Sequence, residues 1–518
     1  MKIKWIIKVL LAFLIIWNIL VLSIFNTSSD PYQRQERYTN QFHIQMDKVG
    51  LMNDIQGGFY RDGVWHIYYL YNDQARFDDY GVNKGKWGSS MYHITTTDWV
   101  HWNYVGIALK NDATDYNDVS SGTVFEDKNN SFGYGSDAII AMTSTFGKNE
   151  QNILGFYSTD GGYSFSAIKQ TPIINYREEI ENPGDFRDPY FFEIDNKYVM
   201  YLAQNDSFGV WVSDNPTEGY KKTGKYVAKH PMLECPNLFE MKVSDSNEKK
   251  WVLFYCGNGS WGPDADNFSS GTYYVVGTIN KNFVFKPDEN QETKRLDFGT
   301  DFYAAKFMTK NTTNRNIDEL ISTAWVGNWN YIYNAPDDGR IGAMSLARKL
   351  VLKKTNNNYS IESSIFGFKD FLETKKIQSY NTNNFTENGG TYKLSLNFDK
   401  KVNNKIDLEI KDSIYELKFH INYETNSIDF KRTTNYERLV DSVEFNLSRS
   451  LKFDSDKISN NFEVYLDKTV IEIKLSNYYT FTFLKFNSAK KDEKLNFNSS
   501  INTDFNYSII DLKNTIIN

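Results

Sequence analysis

A chain of 518 residues is too long for one ordinary hydrophobic core and is expected to form two domains, or one large repeat domain with an appendage. With 40% hydrophobic and 24% charged residues it is a folding sequence, and 35 Tyr and 37 Phe against 10 Pro favour strands over helices. A net charge of −7 argues against nucleic acid as a partner and leaves a neutral or weakly polar substrate.

The first 30 residues stand apart. Lys2, Lys4 and Lys8 precede an apolar run from Val9 to Phe25, interrupted only by Asn18 and Ser23. This is the pattern of a secretory signal or an uncleaved signal anchor. The run is about the shortest that spans a bilayer, and no small-residue cleavage site follows it. Both readings therefore stand: a cleaved leader, or membrane attachment through residues 5–25. Either one places the remainder outside the cell, secreted or held at the outer face of the membrane.

From Gly50 the chain repeats itself. "GLMNDIQGGFYRDGVWHIYYLYND" is a hairpin with an Asn53-Asp54 pair at its mouth and an almost wholly apolar return strand, Trp65 to Tyr71. Similar return strands recur at Ile139, Tyr198, Trp251 and Ile321, at spacings of 53 to 74 residues. A polar motif opens each unit: Asn53-Asp54, Ser120-Ser121-Gly122, Arg187-Asp188, Glu234-Cys235 and Asp301-Phe302-Tyr303. Further strand-like runs complete about four strands per unit, which predicts the blades of a five-bladed β-propeller over residues 31–360. A plain β-sandwich with polar strand ends is the simpler alternative. Cys235 and Cys256 each lie in a strand-like run and read as two buried thiols more readily than as a pair. Six scattered His and the absence of CxxC or HExxH give no support for a metal site, and no cofactor is implied.

Beyond residue 365 the texture changes to period-two strands such as "NKIDLEIK" and "TVIEIKL" between Asn/Asp-rich turns, as in a β-sandwich over 365–518. The predicted fold is thus all-β, a five-bladed propeller followed by a C-terminal sandwich. In that arrangement Asp54, Asp188 and Glu234 stand at equivalent positions of separate blades and converge on one end of the central channel. Carboxyls gathered among Trp and Tyr side chains suggest glycoside chemistry, in which one acid protonates a leaving oxygen and another stays charged. Any single Asp among 65 acidic residues is more often a solvated turn residue, so the reading rests on the shared placement.

The segment "FHIQMDKVGLMNDIQG" resembles the nucleophile block of glycoside hydrolase family 32, the invertases, inulinases and levanases. "SSGTVFED", "GDFRDPYFFE", "LECPNLFEM", "DFGTDFYAAKFM" and "AWVGNWNYIYNAPDDGRIGAMSLARKLVL" resemble its later blocks in the family's order. The resemblance implies Asp54 as nucleophile, Glu234 as acid/base and Asp188 as transition-state stabiliser; a purely structural role for Asp188 before Pro189 is the alternative. It implies that Asn53, Trp87, Ser121, Arg187 and Tyr303 line the same subsite; aromatics such as Trp261 or Trp329 are expected to stack against further sugar rings. It also implies retaining cleavage of β-fructosidic bonds, with a fructan as substrate. Leu51, Ile55-Gln56 and Leu70 depart from the family's usual Trp, Pro-Asn and Gln. Together with "YYLYN" they resemble the levan-cleaving branch, including endo-acting members, more than invertase. An exo-acting fructosidase, a fructosyltransferase and a non-catalytic fructan-binding surface protein remain the alternatives.

Overall fold

The computed structural model describes residues 37–75, 88–147, 150–178, 184–228, 230–258, 270–311, 313–356, 358–367, 374–398, 405–458, 461–511 and 516–517. The signal or anchor expected at residues 1–30, Trp87 and Trp261 lie outside the described residues. Among the described residues no helix is long and apolar enough to cross a membrane.

Five antiparallel sheets form the propeller. Their innermost strands are Gly50–Arg61, Gly122–Glu126, Arg187–Ile194, Met232–Lys242 and Tyr303–Met308, and consecutive ones touch around the ring. The second strands, Val64–Asn72, Ile139–Thr145, Lys197–Gln204, Lys249–Asn258 and Leu320–Val326, are buried over nearly their whole length. Both faces of each blade pack on neighbours, so these strands read as continuous apolar runs with no alternation. The ring closes where Arg340–Ile341 of blade 5 pairs in parallel with Gly50–Leu51 of blade 1. The last strand of blade 5, Asn358–Ile365, runs past residue 360, where the sequence placed the end of the propeller.

Four inner strands carry the same irregularity at one end of the channel. In blades 1, 3, 4 and 5 the pairing skips two residues on the inner strand against one on its partner, at Asn53-Asp54, Asp188-Pro189, Cys235-Pro236 and Ala304-Ala305. Such a bulge ends regular pairing and re-aims side chains. Asp188, Cys235 and Ala304, the first bulged residues of blades 3 to 5, all take left-handed φ, at 56°, 52° and 49°. This conformation costs a non-glycine residue on the order of 1 kcal/mol or more, so three in register mark a place where geometry is imposed.

Apart from Ile516–Ile517, which pairs in parallel with Trp102–Asn103 of blade 1, the remaining strands form a β-sandwich in which Lys494–Asp511 serves both halves, pairing first with Lys405–Lys411 and later with Tyr392–Phe398. Its core of Leu, Ile, Val and Phe continues without a break into the floor of blade 5. Two fully buried arginines join the sandwich to the propeller. Arg348 donates to Glu472, Thr480 and Thr482 and pairs with Asp297, each at 2.8 Å. Arg432 donates to Asp301 at 2.6 Å and to the Tyr331 hydroxyl at 2.8 Å. Removing one member of such a network strands the others as buried charges, at a cost of about 3–5 kcal/mol. Arg348→Met is therefore expected to lower the thermal midpoint by several degrees in calorimetry. An unchanged midpoint would show that the contacts are incidental.

Candidate active site

The bulges bring the three acids together, with a correction to their predicted equivalence. By pairing, Glu234 occupies the place of Arg187 and Tyr303, the residue before the bulge. Asp188 is the first bulged residue, equivalent to Asn53 and Cys235, and Asp54 is the second, equivalent to Pro189. The acids thus come from three successive places along the bulge. The offset lets three side chains approach one another from three blades without colliding.

Asp54 is partly exposed. Its carboxylate accepts from the Ser121 hydroxyl at 2.6 Å and from the Asn53 amide at 3.4 Å. Asp188 is buried and accepts from the backbone N–H of Cys235 at 2.9 Å. The Cys235 thiol lies 4.0 Å from Asp54 and 3.7 Å from Asp188, which ties both to the residue following Glu234. Glu234 receives two donors: Arg187, through Nη2 at 3.0 Å and Nε at 3.3 Å, and the Tyr303 hydroxyl. Arg187 also pairs with Asp185. Arg187, Glu234 and Tyr303, equivalent residues of three blades, thus form one chain across the funnel.

Burial, reinforced by the crowding of like charges, sets the electrostatics. Burial, then the charge of Asp188, pushes Asp54 up to about 7, against the lowering effect of the Ser121 hydrogen bond. Burial raises Asp188 to about 6, although Arg187, the Cys235 N–H and Lys306 oppose it. A contact with Cys256, together with burial, keeps the Cys235 thiol protonated. Near neutral pH such a cluster holds protons and negative charge at once, the condition for acid catalysis beside an anionic group.

Aromatic side chains stand around the acids. Trp329 is half-buried, 4.6 Å from Trp325 and 5.6 Å from Tyr333 between ring centroids. Burial raises the Tyr333 phenol, and so does the charge of Asp54, which places it on the nucleophile side. Phe146, half exposed at the end of a second strand, lies on the other side, its ring 5.9 Å from the Arg187 guanidinium. Phe146 and Tyr333 were not singled out from sequence. Phe146 could have been, because it ends an apolar strand at the funnel end; Tyr333 has no such signal.

Two further expectations are resolved here. Asp301, read as part of the blade 5 motif, is fully buried and turned to Arg432 and Tyr331 of the domain junction, so Tyr303 alone of that motif reaches the acids. Cys235 and Cys256 are both free and buried. Among the described residues no group of three His, Cys, Asp or Glu is placed to hold a metal ion.

A propeller whose funnel gathers carboxyls beside aromatic rings defines a glycoside hydrolase type of site. Comparisons with known proteins specify it. The model described as "Glycosyl hydrolases family 32 N-terminal domain" matches residues 43–363. A levanbiose-producing levanase of Bacillus subtilis (strain 168) is 30% identical over 442 residues, 81% of this chain and 80% of that protein. One from Geobacillus stearothermophilus is 32% identical over 359 residues, 66% of this chain and 84% of that protein. Among solved structures, the exo-inulinase of Aspergillus awamori superposes with a TM-score of 0.75 at 22% identity, covering 92% of this chain and 98% of that one, and shares the fold. The chain belongs to glycoside hydrolase family 32 and acts on fructosides.

Proposed function

We propose that this chain hydrolyses the β-fructosidic bonds of a fructan with retention of configuration, and that levan, with β-2,6 linkages, is its polymer. The observation that carries the proposal is the convergence of Asp54, Asp188 and Glu234 beside aromatic rings. Asp54, partly exposed where Asp188 is buried, attacks the anomeric carbon. Glu234 gives a proton to the leaving oxygen and later takes one from water, and Arg187 and Tyr303 orient it meanwhile. Asp188, held rigidly by its backbone and the Cys235 N–H, grips fructosyl hydroxyls that tighten in the transition state.

Levan is favoured by the two levanase relatives, which are levanbiose-producing and so release a disaccharide. Internal cleavage is favoured by Leu70, which replaces an amide able to hold a terminal fructosyl unit. The chain acts outside the cell, in keeping with its basic and apolar N-terminus and with an extracellular exo-inulinase of Meyerozyma guilliermondii, 30% identical over 357 residues. Early products on levan test the proposal. Short oligosaccharides in the first minutes, with sucrose cleaved poorly, are expected. Free fructose as the sole early product would replace it with an exo-acting fructosidase, and transfer products would point to a fructosyltransferase.

A further inference from the structure

Blade 5 carries a charge where its counterparts carry none. Lys306 occupies the place after the bulge that Ile55, Tyr190 and Asn237 hold in blades 1, 3 and 4. Its side chain is buried, and an ammonium removed from water is costly unless its charge is used. It reaches across the axial channel to blade 2, which is not a neighbour of blade 5, and donates to the Gly122 carbonyl at 2.5 Å. Gly122 has no room for a side chain, since a Cβ there would meet the Met142 carbonyl oxygen at 1.8 Å. The adjoining residue is Ser121, whose hydroxyl donates to Asp54. Burial lowers the pKa of Lys306, and Cys235 and Cys256 of blade 4, Asp188 of blade 3 and Asp54 of blade 1 oppose that and favour its charged form. Asp54 in turn faces Asp188, Glu234, the Cys235 thiol and the Tyr333 phenol, so Lys306 is a cation set among acids and neutral groups.

We infer that Lys306 is a positioning residue, whose ammonium holds the Asp54 carboxyl in its charged form and fixes its place through Gly122 and Ser121. The inference rests on the hydrolase reading above and deepens it. In the cluster of three acids, Arg187 offsets Glu234, Asp188 and Asp185, and Lys306 is a further cation, acting on Asp188 and, through Gly122 and Ser121, placed behind Asp54.

The test uses Lys306→Gln, which keeps a donor for Gly122 without the charge, and Lys306→Met, which removes both. Two readouts follow Asp54. The acid limb of kcat/KM for fructoside hydrolysis reports the ionisation of the free enzyme, and in both variants it is expected to move up by about one pH unit while KM stays within about twofold. The second readout needs no substrate. Because Asp54 is raised from 3.8 to about 7 in the fold, stability is full below the lower value and is lost as pH rises through the upper one. The midpoint of that loss should shift upward in the same two variants. Superposed profiles and an unshifted midpoint in Lys306→Gln overturn the inference, and that variant decides alone if Lys306→Met fails to fold. A parent enzyme inert on fructosides would refute the proposed function and still leave the stability midpoint to judge Lys306.

Discussion

Asp54→Asn is expected to lower turnover on levan on the order of 10,000-fold or more while leaving fructan binding in place. The amide keeps the shape and the Ser121 contact but cannot attack an anomeric carbon. The same substitution is expected to stabilise the fold at high pH. In the parent, an ionised Asp54 sits beside Asp188 and Glu234, and burial and those charges raise its pKa from 3.8 to about 7. A group whose pKa is raised by folding favours the native state below the lower value and withdraws that support as pH climbs through the upper one. Asn carries no charge to lose, so the variant should gain on the parent at pH 8 and not at pH 4. The gain is at most about 4 kcal/mol, since the neighbouring acids share the protons. Calorimetry at the two pH values, beside turnover, checks both halves. Activity within about tenfold of the parent would remove Asp54 from the nucleophile role.

Glu234→Gln carries the second large effect, and its signature is selective. A fructoside with a poor leaving group needs the proton that Glu234 supplies, whereas an activated aryl fructoside leaves without it. Loss on levan or sucrose should be roughly 1,000-fold, and loss on cleavage of the aryl fructoside far smaller. Gln can still accept from Arg187 through its carbonyl oxygen and can donate its amide N–H to the Tyr303 hydroxyl oxygen, so the funnel should keep its shape. Equal losses on both kinds of substrate would mean that Glu234 supports the site without acting as its acid.

Much of this architecture could be read from residues alone, because a blade's second strand is buried on both faces and cannot hide its apolar run. The polar motif before each run located Asp54, Asp188, Glu234, Arg187 and Ser121 in one place for the same reason. The register within the bulges was not legible. Two residues against one is a property of the pairing with the next strand, and nothing in "MNDI" or "LECPN" states which residue is skipped. Lys306 was passed over although a lysine inside "YAAKFM" is an anomaly, since lysines are almost never fully buried without a partner. Asp301 misled because a polar residue at a strand mouth looks alike whether it faces substrate or the next domain. The Asn-rich strands Thr374–Asn388 and Lys494–Asp511 have poor intrinsic strand preference and exist through their long mutual pairing, which local sequence does not reveal.

Trapping the covalent intermediate tests the central claim most directly. Glu234→Gln incubated with an activated aryl fructoside can complete the first step but lacks the base for the second, so the fructosyl-enzyme should accumulate. After acid quench and digestion, mass spectrometry should find one added fructosyl unit on the peptide containing Asp54. Release of the aryl group with that peptide unmodified, or the added mass on a different carboxyl, would contradict retaining hydrolysis through Asp54.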